Sequence, residues 1–110
     1  GATMSQSISD LTSPEVGEQI SRNPVAVIPF GSIEQHGPHL PLSTDTLQAY
    51  SVALMAATIV PAIVAPPVHY GQCSSTRNHP GTVTLSGDTL RSLAADLIRK
   101  PLGQCDQHEG

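Results

Sequence analysis

An α/β domain with a parallel sheet is predicted for this 110-residue chain from three features. An unbroken apolar run of strand length at residues 25–30 leads into a Gly- and Pro-rich loop and then an apolar helical pattern. A second apolar run, at 62–65, leads into another loop and an amphipathic helical pattern. The charged share is only 13%, about half of the usual ~25%, so most of the chain is expected to be buried. Strands covered on both faces of a parallel sheet read as continuous apolar runs, and strand–loop–helix alternation is the signature of that class. Two strands do not make a stable sheet, so the pattern corresponds to the first half of a doubly wound domain.

The elements follow in order. Ser13-Pro14-Glu15 starts a short helix, with Ser13 as cap and Pro14 in the first turn; Val16 and Ile20 lie one helical turn apart, and the helix ends near Arg22. Val25-Ala26-Val27-Ile28-Pro29-Phe30 is the first strand. Gly31, Gly37, Pro38 and Pro41 keep residues 31–42 out of helix and central strand. A second helix is expected from Ser43 to about Ile59, capped by Ser43 or Thr44, with Asp45 in its first turn, where the helix dipole favours a carboxylate. Leu47, Tyr50, Leu54 and Thr58 form one stripe and Val52, Met55 and Ala56 fill most of the rest, which predicts a buried helix. Pro61 stops it, residues 62–65 form the second strand, and Pro66-Pro67 force an extended exit. Residues 83–85 are a short strand or an extended lead-in. Ser86-Gly87-Asp88 then starts a third helix, with Leu90, Leu93, Ala94, Leu97 and Ile98 on one face and Arg99 and Lys100 at its end. Residues 1–12 are assigned to a tag and an unstructured N-terminus, since Gly1-Ala2-Thr3 precede Met4, and 101–110 to a polar tail.

Composition excludes several roles. Aromatics are 3% and the net charge is −4, so neither the stacking platform nor the basic footprint of a nucleic-acid binder is present. The apolar stretch 52–68 is interrupted by Pro61, Pro66 and Pro67 and is too short for a membrane span. Cys73 and Cys105 lack CxxC spacing, which argues against a disulfide scaffold or zinc knuckle and for a reducing, cytoplasmic setting.

Chemistry is concentrated in one place. Between Asn23 and Thr76 the formally charged residues are Glu34 and Asp45, with His36 and His39 between them and no Lys or Arg to pair with the carboxylates. Hard oxygen and borderline nitrogen donors together suit Zn²⁺ or Mn²⁺, and the crevice beyond strand ends is where open α/β sheets place their sites. In extended backbone, residues i and i+2 project to the same side, so Glu34 and His36 can face one ion while Gln35 points away. The alternative is a solvated Glu34 with His36 or His39 capping a turn.

Residues 29–45, Pro-Phe-Gly-Ser-Ile-Glu-Gln-His-Gly-Pro-His-Leu-Pro-Leu-Ser-Thr-Asp, resemble the signature of the creatininase (creatinine amidohydrolase) family. Tyr70-Gly71, followed by Asn78-His79-Pro80-Gly81-Thr82-Val83-Thr84-Leu85, is similar to the family's second motif at the matching distance. The resemblance, over residues 24–100, implies the N-terminal half of a three-layer α/β/α sandwich. It implies two divalent metal ions, Zn and/or Mn, and a metal-bound hydroxide that hydrolyses a C–N bond of a small-molecule amide, cyclic and creatinine-like or a formamide. Carried over by position, Glu34 binds one ion, His36 the other, and Asp45 bridges both. His39, His79 and Arg77 are candidates for the substrate rim, Arg77 for an anionic group.

The family's later Asn-Gly-His-type motif, whose His and following acid complete both metal shells, has no counterpart after Lys100; His108 and Glu109 are assigned to the polar tail. Three ligands cannot fill two coordination spheres, so at most one ion, weakly held, is expected from this chain. The competing readings are an inactive, truncated fragment that self-associates and binds metal weakly or not at all, and a metal-binding module without turnover. The largely apolar second helix, with two strands to cover it, predicts a homo-oligomer. Cys73 lacks an obvious general base and is assigned as a loop thiol.

Overall fold

In a computed structural model, residues 6–22 and 25–99 are described. Three helices, α1 (Ser13–Arg22), α2 (Thr44–Ala57) and α3 (Gly87–Arg99), alternate with two short parallel strands, β1 (Ala26–Val27) and β2 (Ile63–Val64). The alternation and the parallel pairing are those expected from the sequence. The regular strands are shorter than the apolar runs because proline removes ladder donors. Ile63 N donates to Val25 O and Ala65 N to Val27 O; the ladder then skips Pro29, Pro66 and Pro67, and resumes with Val68 N on Pro29 O and Gly31 N on Val68 O.

Residues 6–12, expected to lack structure, are ordered. Val64 N donates to Gln6 O and Ser7 bridges Val64, so β2 is paired on both edges, and a 3-10 turn at Ile8–Asp10 follows. The cap of α1 is also corrected. Thr12, not Ser13, closes it: Thr12 N donates to Glu15 Oε1 and Glu15 N to Thr12 Oγ1, a capping box that satisfies two donors reciprocally. The hydroxyl caps expected for α2 are absent: Ser43 makes no side-chain cap bond and Thr44 Oγ1 donates backwards to Pro41 O. At α3 the expected start holds, with Thr89 N donating to Ser86 Oγ at 3.1 Å.

The core forms where α2 lies on β2. Ile63 and Val64 are fully buried, which contributes about 1.5–3 kcal/mol each, and Val64 clusters with Ala53, Ala57 and Ala62, with Val27, Tyr50 and Leu54 packed against that cluster. This corrects the expectation of a buried α2 centred on the Leu47 stripe. Alanines four apart let the helix axis approach the sheet closely, so the larger side chains turn outward: Leu47 is 54% exposed, Met55 61% and Ile59 84%. Among the described residues no helix is long and apolar enough to cross a membrane. The calls on residues 1–5, Lys100, the 101–110 tail, His108 and Glu109 lie outside the described residues.

Candidate metal centre

Three elements meet where β1 ends. The extended segment 31–36 runs past the first turn of α2, and Gly31 is what lets it come so close: a Cβ there would lie 2.2 Å from Thr46 Oγ1 and 2.4 Å from Thr46 Cα. The Thr46 hydroxyl then clamps the segment, accepting from Ser32 N at 3.1 Å and donating to Ser32 O at 3.2 Å. With the loop fixed on the helix, Glu34, His36 and Asp45 converge, one ligand atom from each lying within 4.8 Å of the others. Among the described residues this is the cluster of three or more His, Cys, Asp or Glu with metal-holding spacing. His39, His69, His79 and Cys73 are not in it.

Hydrogen bonds assign the roles. His36 Nδ1 lies 3.2 Å from Glu34 O, a carbonyl that can only accept, so Nδ1 carries a proton. The opposite nitrogen, Nε2, faces Asp45 Oδ1 at 3.1 Å. Two lone pairs cannot face each other, so that gap takes either a second imidazole proton or a cation. His36 is accordingly held above its ordinary 6.5, chiefly by the Glu34 carbonyl, against partial burial and with help from Asp45. Asp45 is held below its ordinary 3.8, first by the Ser32 hydroxyl, against burial and with help from Glu34 and His36. His36 therefore stabilises the metal-free fold below pH 6.5, an effect lost as pH rises through its higher folded value. Asp45 does so above pH 3.8, an effect lost as pH falls through its lower folded value. If His36 Nε2 ligates a metal it must first lose its proton, so Zn²⁺ affinity is expected to rise with pH until His36 is neutral, with up to one proton released per ion. Calorimetric titration in buffers of different ionisation enthalpy checks this; pH-independent affinity between pH 6 and 8 would contradict it.

The sequence missed the residues that hold the carboxylates. Ser32 Oγ donates to Asp45 Oδ2 at 2.6 Å and lies 3.3 Å from Glu34 Oε1, while Thr76 Oγ1 donates to Glu34 Oε2 at 2.7 Å. Extending the i, i+2 argument one step back from Glu34 reaches Ser32; Thr76, 42 residues further on, has no local signal. Cys73 is buried, and burial together with the Glu34 carboxylate beside it pushes its thiol up, which makes it a poor nucleophile. Of the rim candidates, His39 is exposed in the turn after Gly37, His79 is exposed with its backbone N on Thr76 O, and the Arg77 guanidinium is engaged by Ser74 O at 2.9 Å.

The family model described as creatinine amidohydrolase matches residues 9–104. The chain belongs to the creatininase family. Over 85 residues it is 43% identical to the mycofactocin precursor peptide peptidase of Mycolicibacterium smegmatis, covering 69% of this chain and 33% of that protein. Over 81 residues it is 38% identical to the creatinine amidohydrolase of Pseudomonas putida, covering 69% of this chain and 31% of that one. A creatinine amidohydrolase crystal structure superposes with a TM-score of 0.83 at 29% identity, covering 92% of this chain and 42% of the other. The chain thus spans about a third of the length of these two curated relatives, and the α/β fold of the family is shared over that part.

Proposed function

We propose that Glu34, His36 and Asp45 hold a divalent metal ion and that the chemistry served is metal-dependent hydrolysis of a C–N amide bond. The observation that carries this reading is the convergence of two carboxylates and one imidazole within 4.8 Å. That donor set suits Zn²⁺ and Mn²⁺, and creatininase structures of a Zn–Zn type and a Mn form are similar to this chain at TM-scores of 0.82 and 0.81. When bound, a pair of such ions polarises a carbonyl and lowers the pKa of a shared water. If two ions were bound, Glu34 would hold one, His36 the other, and Asp45 would serve both. His36 Nδ1–H on Glu34 O keeps Nε2 aimed at the Asp45 side, so the imidazole enters the shell without a rotational search.

On the α2 side Phe30, Asp45, Gln48, Ala49 and Val52 line a shallow, open depression of about 460 Å³, which Asp45 borders and Glu34 and His36 do not. The candidate substrate classes are a creatinine-like cyclic amide and a peptide amide, after the relatives' names, and a formamide, after the sequence resemblance alone. The test is hydrolysis of creatinine, an N-formyl amide and a short peptide with Zn²⁺ or Mn²⁺ added, then with a chelator. Metal-dependent turnover of one of them is expected. A metal-loaded protein that hydrolyses none of the three sinks the enzyme reading. The open apolar face formed by Leu47, Val52, Met55 and Ile59 favours a second reading, a self-associating chain that binds metal without turnover, which would give a solution mass of two or more chains.

A further inference from the structure

The two carboxylates of the triad are not held by the triad alone. Ser32 is 7% exposed and offers one hydroxyl proton; its oxygen lies 2.6 Å from Asp45 Oδ2 and 3.3 Å from Glu34 Oε1. At those distances the Ser32 hydroxyl donates to Asp45 Oδ2 in preference to Glu34 Oε1. The other carboxylate has its own donor, since Thr76 Oγ1 lies 2.7 Å from Glu34 Oε2, and the same hydroxyl is 3.4 Å from Cys73 O. Both donors are anchored through backbone: Ser32 by the two-way clasp with Thr46, and Thr76 by the 3-10 turn Ser74–Thr76, where its N donates to Cys73 O. Thr76 comes from the loop after β2, so the second motif region reaches the first at this bond.

We propose that Ser32 and Thr76 are positioning residues, each holding one oxygen of one carboxylate so that Asp45 and Glu34 present fixed faces to a metal. The inference rests on the metal reading of the triad. The Asp45 oxygen that Ser32 does not hold is Oδ1, which faces His36 Nε2 at 3.1 Å. Without these hydroxyls Glu34 loses its Thr76 donor and Asp45 keeps only its His36 contact, and the ordering cost falls on metal binding.

The test uses Ser32→Ala, Thr76→Val and Thr76→Ser in the full chain, with Zn²⁺ as probe in competition against a chromophoric chelator, and thermal melts alongside. Removing either hydroxyl is expected to weaken Zn²⁺ binding by 10–100-fold while the apo melting temperature stays within roughly 5 °C of the parent. Thr76→Ser, which keeps the hydroxyl and loses the methyl, is expected to bind like the parent. Parent-like affinity in both Ser32→Ala and Thr76→Val overturns the proposal and leaves the metal reading standing. Equal weakening in Thr76→Ser and Thr76→Val also overturns it, assigning Thr76 to packing. A parent that binds no Zn²⁺ overturns the metal reading, and this inference with it.

Discussion

Asp45→Ala is expected to lower metal affinity by more than 100-fold, further than His36→Ala, without unfolding the chain. Asp45 sits at the centre of the cluster: Oδ1 faces His36 Nε2 at 3.1 Å and Oδ2 accepts from Ser32 at 2.6 Å. Structural Zn²⁺ sites yield about 10–16 kcal/mol from four ligands, so one ligand carries roughly 2.5–4 kcal/mol, or about two to three orders of magnitude. Losing Asp45 leaves one carboxylate and one imidazole, and under the bridging assignment it weakens two ion positions at once. Losing His36 leaves two oriented carboxylates, held by Ser32 and Thr76, a hard site that still takes Mn²⁺ in preference to Zn²⁺. The structural cost of Asp45→Ala is about 1 kcal/mol, since the site is partly open and the freed Ser32 hydroxyl can turn to Glu34 Oε1 at 3.3 Å. Elemental analysis after dialysis, with thermal melts of both variants, reads this directly. Equal metal content in Asp45→Ala and the parent would show that the bridging role does not belong to this chain.

How far these features could be read in advance depends on how local their causes are. Helices α1 and α3 were legible because their apolar residues recur at helical spacing with a Pro or Ser at the start. Helix α2 was legible in extent but not in orientation. A helix that is apolar all round has no phase in its pattern, and the side against β2 was selected by the smallness of Ala53 and Ala57, not by hydrophobicity. The Gln6 and Ser7 pairing on β2 is carried by backbone groups, which no side-chain pattern encodes. In the site, Glu34 and His36 could be placed together from a spacing of two, and Asp45 joined them as the other carboxylate of a stretch with no Lys or Arg to pair it. Thr76 could not, because its bond to Glu34 closes a 42-residue separation.

The largest effect on folding is expected from Gly31→Ala. The glycine adopts no left-handed conformation, so backbone strain is not the reason; close approach is. A Cβ at this position meets Thr46 Oγ1 at 2.2 Å, Thr46 Cα at 2.4 Å and Thr46 Cβ at 2.7 Å. A side-chain oxygen can swing away, but Cα belongs to the first turn of α2, so relief requires the helix start to move as a unit. That movement breaks the Thr46 clasp on Ser32 and carries Asp45 away from His36. The cost sits at the upper end of overpacking, about 3 kcal/mol, which lowers the melting temperature of a domain this size by roughly 12–24 °C. Gly17→Ala supplies the contrast. Gly17 lies within α1 with nothing within 4 Å of an added Cβ, so the same change there is expected to raise stability by about 0.8 kcal/mol through helix propensity. If both variants melt within roughly 2 °C of the parent, the approach of residues 31–36 to α2 is not the feature that holds the three ligands together.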